Sequence, residues 1–200
     1  FLTGNPVASV KADDVECDYI LVSHAHGDHL GDAPSIAART GAKIVSTPEV
    51  ISVCESQTLA EIASCPMNIG GSLNLPFGKV RMTFAQHSAG VAGGIACGFV
   101  VYIGGRTLYY AGDTALFSDM QLIGRKDSID YAVLPIGDNY TMGLEDAAMA
   151  AQWVNAGHVI PVHYNTWPVI KQEARHYKDV TEAMTRARVH IMAPGDTMEL

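Results

Sequence analysis

The chain has 200 residues, of which 48% are apolar and 17% are charged, a composition typical of a globular domain with a substantial core. Its formal charge of −8 and its 13 scattered basic residues argue against nucleic acid as a partner, because a phosphate backbone selects clustered positive charge. The longest apolar stretch, residues 91–105, contains five glycines and is too short to predict a membrane helix.

Strand-like segments alternate along the chain with helical patterns. Strands are predicted near residues 18–23, 42–46, 79–85, 98–103, 107–111, 130–136, 158–162 and 188–192. Helices are predicted from an Asp32 cap to Gly41, within Pro48 to Ser64, from about Gly143 to Gly157, and over about Val169 to Arg186. The Gly104–Gly105 pair predicts a hairpin turn. Together these elements predict an α/β fold, with two mixed sheets packed as a sandwich and flanked by helices.

The cysteines carry a further indication about the cellular compartment. Cys17, Cys54, Cys65 and Cys97 form no CxxC pair and no dense framework, which favours free thiols over disulfides. The first residues also lack the pattern of a signal peptide. These features predict a cytoplasmic protein.

The run from His24 to His29 places three imidazoles and one carboxylate within six residues, directly after a strand-like segment. His24 and His26 are separated by one residue, so in extended backbone their side chains can point the same way and bind one cation. We expect Gly27 to allow a tight turn that directs Asp28 and His29 towards a second cation. The motif therefore predicts a metal centre.

Three further metal-competent side chains follow predicted strands later in the chain. His87 follows the strand near 79–85, Asp113 follows the strand near 107–111, and His163 follows the strand near 158–162. Open α/β sheets place their sites at such strand ends. We therefore expect these residues to join the early histidine cluster.

The order of these motifs resembles that of the metallo-β-lactamase superfamily. The strings that carry the resemblance are HxHxDH at 24–29, DHLGD at 28–32, YAGDT at 110–114, LPIGD at 134–138 and PVHYNT at 161–166. They resemble the bacterial and archaeal branch of metal-dependent hydrolases related to ascorbate-6-phosphate lactonase. The resemblance implies an αββα sandwich and a dinuclear metal centre. It implies a first metal held by His24, His26 and His87, a second held by Asp28, His29 and His163, and Asp113 as the bridge.

Members of that superfamily normally begin with strands upstream of the position equivalent to residues 1–6. The resemblance therefore leads us to expect a single domain over residues 1–200 that is incomplete at its N-terminus. The missing strands would be cleaved, disordered or carried on a separate N-terminal segment that completes the fold. The sequence leaves a homo-oligomer open.

The proposed ligands predict hydrolysis of a small molecule. A hydroxide held between two divalent ions would attack an ester, lactone or similar bond, because metal binding brings the pKa of water to about 7. Asp113 would orient the hydroxide, and Asp28 would take up a proton as the intermediate collapses. Ligands that are all nitrogen or oxygen admit Zn²⁺, Mn²⁺, Fe²⁺ and Ni²⁺; zinc is expected first, and the resemblance to the lactonase group places manganese second.

Other functions share these residue types. A metal-dependent phosphodiesterase would use the same ions, but the sequence shows no basic face or inserted clamping domain for a nucleic acid. A flavodiiron-type redox protein would carry Glu at the position of His26 and a flavin module. A non-catalytic metal-binding protein would bind ions without turnover, and the sequence alone leaves that alternative open.

Several polar residues near the proposed ligands are candidates for substrate binding. They lie in the glycine-rich loop after His87, at the end of the strand near 130–136, and directly after His163; they are Ser88, Asp138, Asn139, Tyr164 and Asn165. An ordinary turn or loop role is the alternative for each of them.

Overall fold

Two β-sheets form the centre of the fold. A computed structural model describes residues 1–200. The smaller sheet has three parallel strands in the order β1-β2-β3, which are Tyr19–Leu21, Lys43–Ser46 and Ser64–Pro66. The larger sheet has seven strands in the order β10-β9-β8-β7-β6-β5-β4. In chain order these are β4 Ser72–Leu75, β5 Gly78–Phe84, β6 Cys97–Ile103, β7 Arg106–Tyr110, β8 Tyr131–Pro135, β9 His158–Val162 and β10 Arg188–Val189.

Only the larger sheet is mixed. Its strands pair antiparallel from β4 to β7 and parallel from β7 to β10. As predicted, β6 and β7 form a hairpin, in which Ile103 opposes Arg106. Gly104 and Gly105 both adopt positive φ, at 58° and 78°, which is the conformation that a two-residue turn of this kind requires.

Six α-helices flank the two sheets, and the sheets pack against each other. In chain order they are α1 Gly27–Leu30, α2 Ala33–Thr40, α3 Pro48–Ser56, α4 Met120–Lys126, α5 Leu144–Val154 and α6 Ala174–Met184. Buried residues of α2 and α3 pack on the smaller sheet, and those of α4, α5 and α6 pack on the larger one. Between the sheets, Val45 of β2 packs with Met82 of β5 and Phe99 of β6. The layers therefore follow the predicted αββα order.

The interior of α5 shows why this segment forms a packed helix. Ala147, Ala148, Ala151 and Val154 recur at helical spacing and are buried against the larger sheet, while alanine has the highest helix propensity. Asn155 ends the helix in a left-handed conformation, with φ of 50°. A buried ion pair between Arg81 and Asp127 joins the end of α4 to β5.

Several predicted boundaries differ from the structure. Helix α3 lies within the predicted range of residues 48–64 and ends at Ser56, whereas α6 begins at Ala174 rather than near Val169, because residues 168–170 form a separate 3-10 turn. Asp32 precedes α2 as predicted, but its carboxylate accepts hydrogen bonds from the backbone amides of Leu2 and Thr3 instead of capping the helix. The short elements α1, β3, β4 and α4 were not predicted.

The longest helices, α5 and α6, have 11 residues each. None of the helices has both the length and the apolar character that crossing a bilayer requires. All four cysteines are free thiols, as predicted.

The direction of the strands places the predicted site residues on one edge. Strand β5 is antiparallel to β6, which is antiparallel to β7, so β5 runs in the same direction as β7, β8 and β9. The carboxyl ends of these strands therefore meet at one edge of the larger sheet. His87, Asp113 and His163 follow β5, β7 and β9 at that edge.

Candidate metal centre

Seven histidine and aspartate side chains converge at this edge in two groups. The ligand atoms within each group all lie within 4.8 Å of one another. The first group is His24, His26 and His87, and the second is Asp28, His29, Asp113 and His163. These are the residues that the sequence singled out.

The first group is a cluster of three imidazoles. His24 Nε2 lies 2.9 Å from His26 Nδ1, and the His87 ring lies 5.1 Å from each of the other two rings, centroid to centroid. His24 is completely buried, whereas His26 and His87 are partly exposed. A backbone hydrogen bond from Ala25 N to Ala89 O ties the loop after β1 to the loop after β5. The two sheets thus contribute jointly to this group.

The second group depends on one turn of helix. Backbone hydrogen bonds from His29 and Leu30 to the carbonyl oxygen of His26 close the first turn of α1. That turn rotates Asp28 and His29 away from the direction of the first two histidines. The expectation that Gly27 makes this turn through glycine's conformational freedom is wrong, because Gly27 does not have positive φ and a Cβ there would meet nothing within 4 Å.

Asp113 belongs to the second group and also approaches the first. Its Oδ2 is 3.2 Å from His29 Nε2 and 3.2 Å from His163 Nε2 in the second group, and 3.7 Å from His87 Nε2 in the first. Gly112 has φ of 66°, and a Cβ there would lie 2.6 Å from Cys97 O. A glycine is therefore needed for β7 to turn into this position.

The loop of Asp113 is held to the loop of His87. The Thr114 hydroxyl accepts a hydrogen bond from Gln86 N at 3.0 Å, and Ala115 N donates to Gln86 O at 3.1 Å. Thr114 is completely buried. These bonds fix the relative position of one residue from each group.

His163 reaches the site from an unusual backbone conformation. Its φ is 57°, which is uncommon for a residue other than glycine and is found preferentially at functional sites. Gly137 makes room for it, because a Cβ at Gly137 would collide with the carbonyl oxygen of His163. The side chain then lies with Nε2 3.2 Å from Asp28 Oδ2.

The two groups differ in their electrostatics. Burial, with the nearby His29, lowers the pKa of His24 to about 3, so this imidazole is neutral. Burial also acts to lower the pKa of His29, but the carboxylates of Asp113 and Asp28 outweigh it and raise that pKa to about 9. The imidazoles of His163 and His29 beside Asp28 hold the pKa of that carboxyl well below its usual range. Positive charge is therefore favoured in the second group.

Comparisons with known proteins agree with this fold. A family model described as a β-lactamase superfamily domain matches residues 2–164. A metal-dependent hydrolase of the UPF0173 family from Pelotomaculum thermopropionicum is 49% identical over 100% of this chain and 90% of its own length. Another from Natranaerobius thermophilus is 46% identical over 100% of this chain and 89% of its own length.

A solved structure is similar over nearly the same span. Igni18, a metallo hydrolase from Ignicoccus hospitalis, superposes with a TM-score of 0.89 at 34% identity, covering 97% of this chain and 85% of its own. The chain belongs to the UPF0173 family of metal-dependent hydrolases. The resemblance to the metallo-β-lactamase superfamily is thus confirmed, and so is the prediction of a metal-dependent hydrolase.

The side chains of this UPF0173 member fit a divalent cation. Neutral imidazoles and carboxylates are the donors that zinc and related ions take. His29 Nε2 is buried and lies 3.4 Å from Asp28 Oδ2 and 3.2 Å from Asp113 Oδ2, but neither contact has the geometry of a hydrogen bond. A buried nitrogen of this kind is costly unless a bound ligand supplies a partner. A cation in the second group would provide that partner and would offset the charge of Asp28 and Asp113.

A cavity of about 250 Å³ adjoins the second group. Its polar side is formed by all four members of that group, and its other walls come from the N-terminal residue, from β1, β7 and β9, and from the loops that follow these strands. Those further lining residues are Phe1, Leu21, Ser23, Tyr110, Gly112, Val162, Thr166, Trp167 and Ile170. Phe1 stacks on Trp167 with ring centroids 5.7 Å apart. The cavity thus combines a metal-competent side with an apolar wall, as small-molecule sites commonly do.

The five predicted substrate residues lie in different places, and none of them lines this cavity. Ser88 is exposed beside the first group, with Oγ 3.3 Å from His26 Nε2. Tyr164 and Asn165 line an adjoining groove of about 1140 Å³, which shares Val162, His163 and Thr166 with the cavity. Asn165 Oδ1 there also accepts a hydrogen bond from Gln172 N. Asp138 and Asn139 are exposed in a turn, with φ of 58° and 39°.

The residues that sequence reasoning missed are the neighbours of the ligands. Ser23 precedes His24 directly and its Oγ lies 3.0 Å from His24 Nδ1, a position that the sequence could have indicated. Tyr110 and Trp167 line the cavity from β7 and from the loop after β9. Their contribution depends on long-range packing, so the sequence carries no local signal for them.

Proposed function

We propose that this protein hydrolyses an ester or lactone bond of a small molecule with two divalent cations. His24, His26 and His87 would hold one cation, Asp28, His29 and His163 the other, and Asp113 would lie between them. The convergence of these seven side chains into two adjacent groups carries the proposal. All of them are nitrogen or oxygen donors, which admits Zn²⁺, Mn²⁺, Fe²⁺ and Ni²⁺; zinc is our first expectation and manganese the second.

Cations bound in these groups would lower the pKa of water to about 7 and polarise the oxygen of the scissile bond. Residues of the chain would orient the attacking water. Asp113 Oδ2 faces both groups, within 3.7 Å of His87 Nε2 and 3.2 Å of His163 Nε2, and can therefore accept a hydrogen bond from the attacking water. Asp28 Oδ2, at the border of the cavity, would take the proton of the hydroxyl that has added to the carbonyl and pass it to the departing oxygen, so that the products are a carboxylate and an alcohol.

The cavity beside the second group supports a small and weakly charged substrate. No lysine or arginine lines it, whereas enzymes that bind phosphodiesters commonly present arginine or lysine to the phosphate. Leu21, Trp167 and Ile170 instead form an apolar wall for the part of the substrate next to the cleaved bond. This composition favours a lactone or carboxylic ester over a phosphodiester.

The test is an activity panel of lactones, esters, thioesters, β-lactams and phosphodiesters, each measured with Zn²⁺ and with Mn²⁺. We expect turnover to be highest on a lactone or ester. His26→Ala and Asp113→Asn should each lower kcat/KM at least about 100-fold. The matched controls are His176→Ala and Asp179→Asn, which alter exposed side chains of α6 and should leave turnover unchanged.

Two results would count against the proposal. Unchanged hydrolysis in a His26→Ala/Asp113→Asn double variant would show that these side chains do not hold the reacting centre. Preferential turnover of phosphodiesters would replace the proposed substrate class with the phosphodiesterase alternative.

A further inference from the structure

Two serine hydroxyls each contact one ring nitrogen of His24 or His26. We call the contacted nitrogen of each ring its outer nitrogen and the other its inner nitrogen. Ser23 Oγ is 3.0 Å from His24 Nδ1, and Ser88 Oγ is 3.3 Å from His26 Nε2. The contacted nitrogens differ, since one is Nδ1 and the other is Nε2. The nitrogens that remain, His24 Nε2 and His26 Nδ1, face each other at 2.9 Å.

A proton shared between the two inner nitrogens would block a cation, and the serines can keep that proton away. A neutral imidazole carries one N–H and one lone pair, and two inner nitrogens 2.9 Å apart can share a proton in a hydrogen bond. That proton would occupy the space in which both lone pairs must point at one cation. An acceptor on each outer nitrogen favours the tautomer in which the proton is outside and the inner lone pair is free.

The fold places both hydroxyls where this role requires them. Ser23 is buried, at 3% exposure, and a Cβ at Gly112 would lie 3.1 Å from its Cβ, so the glycine makes room for it. Ser88 is brought to His26 by the loop after β5, in which a Cβ at Gly90 would lie 2.8 Å from the His26 backbone nitrogen. The two serines thus come from the segments that supply the ligands of this group.

We propose that Ser23 and Ser88 are positioning residues that hold His24 and His26 in opposite tautomers, leaving His24 Nε2 and His26 Nδ1 free to bind the cation of the first group. This inference rests on the ligand assignment of the proposed function. It gives Ser88 a task other than the substrate contact that the sequence suggested.

The experiment measures Zn²⁺ binding directly, by competition with a chromophoric chelator, in the full chain and its serine variants. Ser23→Ala and Ser88→Ala should each weaken the affinity for one of two bound ions by roughly 10- to 100-fold and leave the other unchanged. The absorption spectrum of the Co²⁺-substituted protein should change in the same variants, because the geometry of the first group is altered. Ser88→Thr keeps a hydroxyl and should retain wild-type affinity.

Matched controls separate positioning from general destabilisation. Ser46 is a buried serine that donates to Val22 O, so Ser46→Ala removes a hydroxyl next to β1 without touching a histidine. Ser128 is exposed and serves as the control for Ser88. Neither Ser46→Ala nor Ser128→Ala should alter Zn²⁺ affinity.

The outcomes distinguish this inference from the proposed function. Uptake of fewer than two ions by the unaltered protein would overturn the ligand assignment and this inference with it. Two ions bound with equal affinity in wild type, Ser23→Ala and Ser88→Ala would overturn this inference alone. A raised KM in Ser88→Ala with unchanged Zn²⁺ affinity would overturn this inference and support the substrate-binding role that the sequence suggested for Ser88. Equal losses of Zn²⁺ affinity in Ser88→Thr and Ser88→Ala would show that the hydroxyl does not position His26.

Discussion

His24 and His29 lie in one site but are driven to opposite charge states by their neighbours. Burial dominates at His24 and lowers its pKa to about 3, whereas two carboxylates at His29 raise its pKa to about 9. His24 is therefore a neutral nitrogen donor in the first group, whereas the second group combines carboxylates with a histidine that attracts a proton. This contrast gives the two groups different ligand chemistry within one cluster.

The same balance of burial and charge predicts the reactivity of the thiols. Burial raises the pKa of Cys97 to about 12 and, with the nearby Glu55, that of Cys54 to about 11. A higher pKa means less thiolate, which is the reactive form. At pH 8 we expect iodoacetamide to modify Cys17 and Cys65, which are half-buried, well before Cys54 and Cys97.

Peptide mass spectrometry of the alkylated, folded protein checks this order. Modification in denaturant provides the control, since all four thiols should then react at similar rates. Rapid labelling of Cys97 in the folded protein would contradict the burial that the structure gives this residue.

At the scale of elements, the long periodic segments were predictable and the short ones were not. Strands β5 to β9 and helices α2 and α5 lie close to their predicted positions, because their apolar spacing and their Gly or Asn termini are local signals. Strand β3 has three residues and helix α1 has four, which is too short for any periodicity. Such elements exist because the surrounding sheets and loops hold them.

Helix α1 has a functional consequence, since it directs Asp28 and His29 in place of the glycine turn that the sequence suggested. Gly27→Ala should therefore be tolerated, because the new Cβ would meet nothing within 4 Å. Gly90→Ala should be harmful. Gly90 has φ of 70°, and its Cβ would lie 2.8 Å from His26 N and His26 Cδ2, so it would displace a proposed ligand.

Hydrolytic activity and Zn²⁺ affinity of the two variants give the comparison. We expect Gly27→Ala to stay within about 2-fold of wild type, because an alanine in place of glycine suits a helical position. Gly90→Ala should lose most of its affinity for one ion. Equal effects of the two substitutions would show that the close approach of the two loops does not position His26.

At the scale of the whole molecule, the sequence identified all seven members of the metal-competent cluster, although His24 and His163 lie far apart in the chain. Metal-competent residue types at strand ends are local signals, and the topology of the sheets brings them together. The serines beside His24 and His26 and the Trp167 wall were not predicted in those roles. Their contacts depend on which loops pack against each other in the folded protein, and local sequence patterns do not contain that information.

Both groups join the two sheets, and this predicts a link between metal binding and stability. His24 and His26 follow β1 of the smaller sheet, whereas His87 follows β5 of the larger one; the second group likewise combines α1 with residues after β7 and β9. A cation would therefore bind the folded protein much more tightly than the unfolded chain. At a free-ion concentration about 100 times the Kd, one site stabilises the fold by about 2.7 kcal/mol.

For a chain of this length, that energy corresponds to a Tm about 5–10 °C higher with metal than without it. Differential scanning calorimetry of protein treated with a chelator and then reloaded with Zn²⁺ or Mn²⁺ checks the shift and its reversibility. His26→Ala/Asp113→Asn should show a much smaller shift, whereas His176→Ala should behave as wild type. Identical melting of the chelated and reloaded wild type would mean that cations do not connect the sheets, since an ion held by ligands from both must resist their separation.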